Sequence, residues 1–544
     1  MTRRSFLSLS AVAAAQAPSP RPNILLIVSD DQGWWDLGLH GNPILETPNL
    51  DKLARSGVRF NRFYVSPVCA PTRASLMTGR HYLRTGVYNT RFGGDTMSAA
   101  EVTLPQLLKQ AGYHTALFGK WHLGRYAKYH PLNRGFDKAL TFSQGHLERY
   151  THPNQLNANR QPVEARGHIT DVIADSARAH ILAHKSAQPH FTYVAFNAPH
   201  TPLYAPDAYA EKYIKKGCNY SNAHMYGMVD HMDAAIGRLL EAASENTIVL
   251  FMSDNGGVSR HFTAGLRGFK ASAFEGGVRS PLFVRWPAHV RPGREVNAVT
   301  AHIDILPTLC QIAGIQPPAN IDGRSFLPHL NGPAPADPNR RVFHIWDRVS
   351  PSLNSNWGIG GQRYKLVKNQ LFDLENDPGE TTDIAKQHPE IAASLRAEFE
   401  AWFADVTKGR TWEPVPIEVG RPDENPVELQ TSWARIAGKT TYTFAGYDWD
   451  TVEAMQSPAD TASWKIDVIR PGRYELEISY ASTAACTARI ANHAITIEPT
   501  AGPAVFQRVH AGTLSLKQGI QQIQATADNP AFALNRFWLR RITP

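Results

Sequence analysis

The strongest constraint on the fold is a recurring arrangement: a short apolar run, rich in β-branched residues, that stops abruptly in a polar cluster. "NILLIVSDDQGW" from Asn23, "FTYVAFNAPHTP" from Phe191 and "NTIVLFMSDNGG" from Asn246 share it, and "YHTALFGKWHLG" from Tyr113 is a fourth case. Runs this apolar belong to strands buried on both faces, as parallel sheets require. Helical segments lie between them. In "TPNLDKLARSGVRF", Thr47 is placed to cap, Pro48 opens the first turn, Leu50, Leu53 and Ala54 share a face, and Gly57 stops the helix. Strands alternating with helices imply an α/β fold, a mostly parallel central sheet flanked by helices. Ligands bind such sheets beyond the carboxyl ends of the strands. Asp30-Asp31, Lys120 with His122, His200, and Asp254-Asn255 are therefore expected on one rim.

With 544 residues the chain exceeds what one core serves, so two or three units are expected. The catalytic α/β part is read as 22–340. A small α+β subdomain follows at 341–410, with two short strands in "QRYKLVKNQLFDLENDPGETTDIA" and an amphipathic helix in "PEIAASLRAEFEAWFADV". The proline-bearing segment 411–427 reads as a linker. From 428 to 544, period-two alternation between turn residues marks an all-β sandwich. "MTRRSFLSLSAVAAAQA" at 1–17 has paired arginines, a short apolar stretch and small residues at its end. It reads as an export signal of twin-arginine type and implies a periplasmic or secreted protein. No later stretch approaches the ~18 apolar residues that span a bilayer.

Net charge is +8, but the basic residues are scattered and no nucleic-acid-binding motif appears. A pocket for an anionic small group explains the excess with fewer assumptions.

Asp30, Asp31, Asp254 and Asn255 are hard oxygen ligands from two strand ends, suited to Ca²⁺ or Mg²⁺ rather than zinc. Each pair alone is most often a turn or a cap; together they indicate a metal site. Lys120, His122, His200 and Lys270, the last in "RGFKASAFEGG", would add positive charge for a tetrahedral oxyanion. In the extended reading, Lys120 and His122 face the same way. Any one of them alone is more often a solvated surface residue.

"VCAPTRASLMTGR" at 68–80 poses the hardest question. Four cysteines in a chain this long form no disulfide scaffold. Cys69 could be a core residue, half of a bridge, a metal ligand or a nucleophile. A helix following it would place the thiol near a positive dipole end, yet a soft thiolate suits a hard cation poorly.

Cys69-x-Pro71-x-Arg73 followed by Thr78-Gly79 resembles the signature of the type I sulfatases, the arylsulfatase-like branch of the alkaline phosphatase superfamily. The resemblance extends through "NILLIVSDDQGW", "TPNLDKLARSGVRF", "GKWHLG", "NAPHTP", "SDNGG" and "RGFKASAFEGGVRSP" in order, covering about residues 22–410. Thr72 stands where the family more commonly has Ser. The resemblance implies oxidation of Cys69 to Cα-formylglycine by a formylglycine-generating enzyme or radical maturase reading Cys69-x-Pro71-x-Arg73. It implies Ca²⁺ (Mg²⁺ as the alternative) held by Asp30, Asp31, Asp254, Asn255 and residue 69. Arg73 and Lys120 would then hold the hydrated aldehyde, one hydroxyl of which attacks sulfur to give a covalent sulfate ester. His200 with Lys270 would protonate the leaving alcohol, and His122 would accept the proton that expels sulfate. Ser143, Gln144 and His146 are equal candidates for a further substrate contact.

The implied activity is sulfuric ester hydrolysis on a sulfated carbohydrate or aryl sulfate. The rival enzyme is a phosphonate monoester or phosphodiester hydrolase of the same superfamily; a rival of another class is an inactive glycan-binding protein. In the β region, Trp433, Tyr442, Tyr447, Trp449 and Trp464 are individually expected in the core, and a carbohydrate-binding role for that region rests on fold analogy. Specificity is expected in loops 84–98, 143–166 and 255–268.

Overall fold

A computed structural model describes residues 21–184, 188–444, 449–491 and 493–542. The leader at 1–17 and Tyr447 lie outside the described residues. The four recurring segments form β1 (Asn23–Ser29), β2 (His114–Lys120), β3 (His190–Ala195) and β4 (Thr247–Ser253). They lie side by side in the order β4-β1-β3-β2, all parallel, at the centre of a ten-stranded sheet. Lys138–Phe142 continues the parallel set beside β2, while Leu282–Arg285 runs antiparallel to β4.

Alternate residues of β1 enter separate cores. Ile24, Leu26 and Val28 join the cluster that contains Leu76 and Leu306; Leu25 and Ile27 join the one that contains Leu50, Ile173 and Met232. The period-two geometry of a strand divides the run this way, and each large apolar side chain fully buried stabilises by ~1.5–3 kcal/mol. Helices therefore cover both faces, and the strand ends remain the place where polar groups gather.

Residues 342–373 form a four-stranded antiparallel sheet, Val342–Trp346, Asn356–Gly360, Tyr364–Val367 and Gln370–Asp373, with helix Pro389–Val406 beside it. Two of these strands were anticipated; Val342–Trp346 and Asn356–Gly360 were not. Further on, two six-stranded sheets pack around a core that includes Trp464, Ile478 and Phe537. Ile417–Val419, within the segment read as a linker, pairs in parallel with Thr461–Val468 in one of them. All four cysteines are free thiols. Among the described residues no helix is long and apolar enough to cross a membrane.

Candidate active site

Register brings the acidic residues together. Ser29 of β1 is opposite Ser253 of β4, so Asp30 and Asp254 leave adjacent parallel strands at the same level. Both are fully buried, and Asp31 is 2% exposed. Asp31 has φ +68°, a left-handed conformation that Asp tolerates better than most residues. Its amide donates to Asp254 Oδ1 at 3.2 Å, and Asn255 Nδ2 donates to Asp31 Oδ1 at 2.9 Å.

The helix Cys69–Thr78 (α1) begins at Cys69 itself, so the thiol lies at its positive end, and every residue in it is buried. Arg73 is one turn on, the i+4 position on the same face. Its Nη2 and Nε donate to Asp254 Oδ2 at 2.7 and 3.0 Å. The Lys120 ammonium meets Asp30 Oδ2 at 2.6 Å. Lys270 meets Asp31 Oδ1 at 2.5 Å, and His200 Nε2 stands 3.7 Å from Asp31 Oδ2. The carboxylate oxygens of Asp30 and Asp254 and the Cys69 sulfur lie within 4.8 Å of one another; an Asp30, Asp31 and His200 set meets the same limit.

His122 departs from the expected geometry. β2 ends at Lys120 and His122 has φ +57°, so the two do not share an extended face. Lys120 turns to Asp30, whereas His122 Nε2 lies 3.1 Å from the Thr90 carbonyl and 3.8 Å from Asp95. A carbonyl only accepts, so Nε2 carries the hydrogen. Nδ1 is buried with no hydrogen-bond partner. Thr90 and Asp95 had no sequence signal beyond the neighbouring Gly93-Gly94, and the Thr90 contact is through backbone. Gly145 packs on the other side, where a Cβ would approach His122 within 2.6 Å. His146 stacks on His200 with centroids 5.3 Å apart.

The electrostatics are strongly asymmetric. Burial and then the Asp254 charge push Asp30 well above the usual carboxylate range, outweighing Lys120. Burial also acts to raise Asp31, but Lys270 and His200 hold it low; Arg73, against the same burial, holds Asp254 low. Burial, then neighbouring Lys120, lowers His122 to about 3, and burial lowers His200 to about 3 although Asp31 opposes it.

Two buried oxygens, Asp30 Oδ1 and Asn255 Oδ1, have no hydrogen-bond partner. An unpaired buried carboxylate oxygen is costly. Two hard acceptors beside two further carboxylates fit a cation with oxygen preference, Ca²⁺ or Mg²⁺.

Residues 22–315 match the Sulfatase family model, and 269–405 match the model for the C-terminal part of N-sulphoglucosamine sulphohydrolase. The chain belongs to the sulfatase family. Dog N-acetylgalactosamine-6-sulfatase is 35% identical over 382 residues, 62% of this chain and 71% of that protein. Human arylsulfatase A is 31% identical over 473 residues, covering 71% and 89%. Among solved structures, Ps i-CgsB in complex with k-i-k-neocarrahexaose superposes with TM-score 0.66 and 31% identity, over 72% of this chain and 95% of that one. This sulfatase is accordingly an α/β enzyme of alkaline-phosphatase-like fold that hydrolyses sulfuric esters. Both family matches stop by residue 405, so the C-terminal β region lies beyond them.

Proposed function

We propose that this sulfatase removes sulfate from a sulfated carbohydrate, using Cys69 after its conversion to formylglycine and a Ca²⁺ ion at the convergent carboxylates. The observation that carries the reading is the pair of unpartnered oxygens, Asp30 Oδ1 and Asn255 Oδ1, beside Cys69 at the start of α1. Asp30, Asp31, Asp254, Asn255 and residue 69 would hold the cation, with Mg²⁺ as the alternative. Bound there, it would offset the carboxylate repulsion and draw charge from the sulfate oxygens. Hydrated formylglycine would supply an oxygen nucleophile and a second hydroxyl, resolving the mismatch between a thiolate and a hard ion.

The chain's own groups then divide the work. Arg73 and Lys120, each fixed by a carboxylate, orient the nucleophile and concentrate positive charge at the reacting centre. His200 donates through Nδ1 to the Thr201 carbonyl at 2.8 Å, which leaves Nε2, next to Asp31, facing the site. Lys270 shares that carboxylate; its ammonium would supply the proton, which the bare Nε2 of His200 would relay to the leaving alcohol. His122 presents a bare Nδ1, the atom able to accept a proton when sulfate leaves.

A carbohydrate substrate is supported by the names of the relatives, an N-acetylgalactosamine-6-sulfatase and a complex with k-i-k-neocarrahexaose. We also assign 22–340 to catalysis, 341–410 to the small subdomain and the residues after about 427 to an accessory domain. The leader would direct export; a periplasmic form beginning after Ala17 on N-terminal sequencing is expected. The deciding experiment pairs peptide mass spectrometry at residue 69 with sulfate release from sulfated oligosaccharides. Conversion of Cys69 and loss of release in Cys69→Ala are expected. Full activity in material whose residue 69 remains a thiol overturns the mechanism.

A further inference from the structure

The C-terminal β region is not tethered beside the catalytic part; it shares a core with it. Tyr126 and Tyr129, from the loop after β2, are buried in the same cluster as Trp464, Leu476 and Phe537. Tyr126 meets Trp433 edge-on at 5.0 Å. At Gly93 (φ +77°) an added Cβ would lie 3.0 Å from both Pro414 and the Trp433 ring. Arg125 pairs with Glu428 at 3.2 Å, Arg160 pairs with Asp423 at 3.1 Å, and Lys128 pairs with Glu418. Contacts of this number and burial fix one orientation.

That orientation closes a narrow cleft, about 40 Å³ and partly open to solvent, beside the residues that contact the catalytic histidines. Its catalytic-side wall includes Arg91, Asp95, Arg125 and His146, and its opposite wall is Trp433 and Trp449 from the β region. Asp95 reaches His122, and His146 stacks on His200. Trp449 meets His146 edge-on, with centroids 4.9 Å apart and planes at 90°. The indole is thus one ring away from the histidine assigned to the leaving group. Past Trp449 lies a second space of about 350 Å³, wide enough for a pyranose, that shares Arg125, Gln144 and Trp449. There the lining mixes amides, among them Asn154, Gln155, Asn157 and Gln430, with Glu148 and with Glu428 held between Arg125 and Arg536.

We propose that the β region completes the substrate cleft, with Trp449 as the platform for the sugar on the leaving-group side. Arg91 and Arg125 would take a second anionic substituent of the same chain. An aromatic face buries the apolar C–H face of a pyranose at little entropic cost. Guanidinium groups match sulfate or carboxylate oxygens bidentately, and the amides beyond match ring hydroxyls. The ligand class is an anionic oligosaccharide of several sugars, carrying more negative charge than the sulfate to be removed. This proposal rests on the sulfatase reading of the neighbouring centre and deepens it by naming the substrate's extent and charge.

The test uses the full-length, matured enzyme as wild type, Trp449→Ala, Trp449→Phe and Arg91→Gln. Formylglycine content and melting temperature are checked in each. Sulfate release is compared between sulfated galactan and glycosaminoglycan hexasaccharides and 4-nitrophenyl sulfate. In Trp449→Ala the ratio of kcat/KM for the preferred hexasaccharide to that for the aryl sulfate is expected to fall about tenfold or more, mainly through KM. Trp449→Phe should recover most of it. Arg91→Gln should lower the ratio most for hexasaccharides with more than one charge. An unchanged ratio in all three variants makes the β region a brace and overturns the proposal. A wild type that is fully converted at residue 69 yet hydrolyses neither substrate refutes the catalytic reading instead. Calorimetry of hexasaccharides on Cys69→Ala then tests the cleft alone. Weaker binding in the added Trp449→Ala supports the cleft, and binding of no hexasaccharide overturns it.

Discussion

Two buried ionic clusters in this molecule look alike in composition and differ in completeness. Around Lys365, Glu275 Oε1 lies at 2.9 Å and Glu380 Oε1 at 3.0 Å, all three residues no more than 1% exposed. The remaining oxygens are also engaged: Tyr64 donates to Glu275 Oε2, and the Glu275 amide donates to Glu380 Oε2. Each carboxylate oxygen thus has a partner within 3.2 Å, Glu380 Oε1 through its ion pair with Lys365 and not through an aligned hydrogen bond. At the strand ends, three carboxylates face Arg73, Lys120 and Lys270, yet Asp30 Oδ1 has no hydrogen-bond partner, with Arg73 4.0 Å away, and Asn255 Oδ1 has none either. Buried charge that is fully paired belongs to structure; buried charge left with open oxygens is arranged for something the chain does not itself supply.

The comparison breaks most visibly under Asp30→Asn. The amide keeps the shape and loses the charge. Sulfate release should fall by about three orders of magnitude, of the size seen when a transition-state electrostatic partner is lost. The fold should survive, because relief of burial and of the Asp254 repulsion at Asp30 offsets the weakened hold on Lys120, to which the amide oxygen still offers an acceptor. Melting temperature in chelator should be unchanged or slightly raised, read by calorimetry. A marked loss of stability would place Asp30 with the closed, structural kind of cluster.

Lys365→Met should do the reverse. Removing one partner strands two buried glutamates, a loss of about 3–5 kcal/mol. Denaturant unfolding should register that loss, whereas kcat of the folded fraction should stay near wild type. Metal addition discriminates further. After chelation, Ca²⁺ at about a hundred times its dissociation constant should stabilise wild type by ~2.7 kcal/mol and leave Asp30→Asn nearly unmoved. Equal stabilisation of both would disconnect the open oxygens from the ion.

The strand ends were readable because their signal is local. An apolar run fixes a buried parallel strand, and the next residues must emerge at the rim, so Asp30, Asp254 and Lys120 followed from period and composition. The orientation of His122 was not readable, since one positive φ after the strand redirects the ring toward Thr90. Asn356–Gly360 escaped for another reason. "NWGIG" has two glycines and weak β propensity, but tertiary packing makes it an inner strand, with Gly358 leaving room for Ala273 at 3.3 Å from a would-be Cβ. Trp464 proved to be core, as expected of any one aromatic in the β region, while Trp449 lines the cleft. Alternation tells which face of a strand is buried; it cannot tell which loop tip meets another domain. Lys365 illustrates the same limit, since nothing near it in sequence foretells a fully buried ammonium.

The smallest effect tests whether the closed cluster is as closed as its geometry implies. Burial, and then the charge of Glu275, raise Glu380 to about 7 from an ordinary value of 4.5, although Lys365 opposes them. Between those values the folded protein holds a proton that the unfolded chain has released. Stability from this group is therefore complete below about pH 4.5 and is lost as pH rises through about 7. Glu275, held low by Lys365 against its own burial, contributes in the opposite sense at more acidic pH, and the two titrate together. Wild type should lose roughly 1–2 °C of melting temperature across the window from Glu380 alone. Glu380→Gln keeps a neutral hydrogen-bonding group there and should flatten that slope without altering sulfate release. A slope that persists in the variant would mean that Lys365 already neutralises Glu380 fully, making the triad two carboxylates on one ammonium with no shared proton.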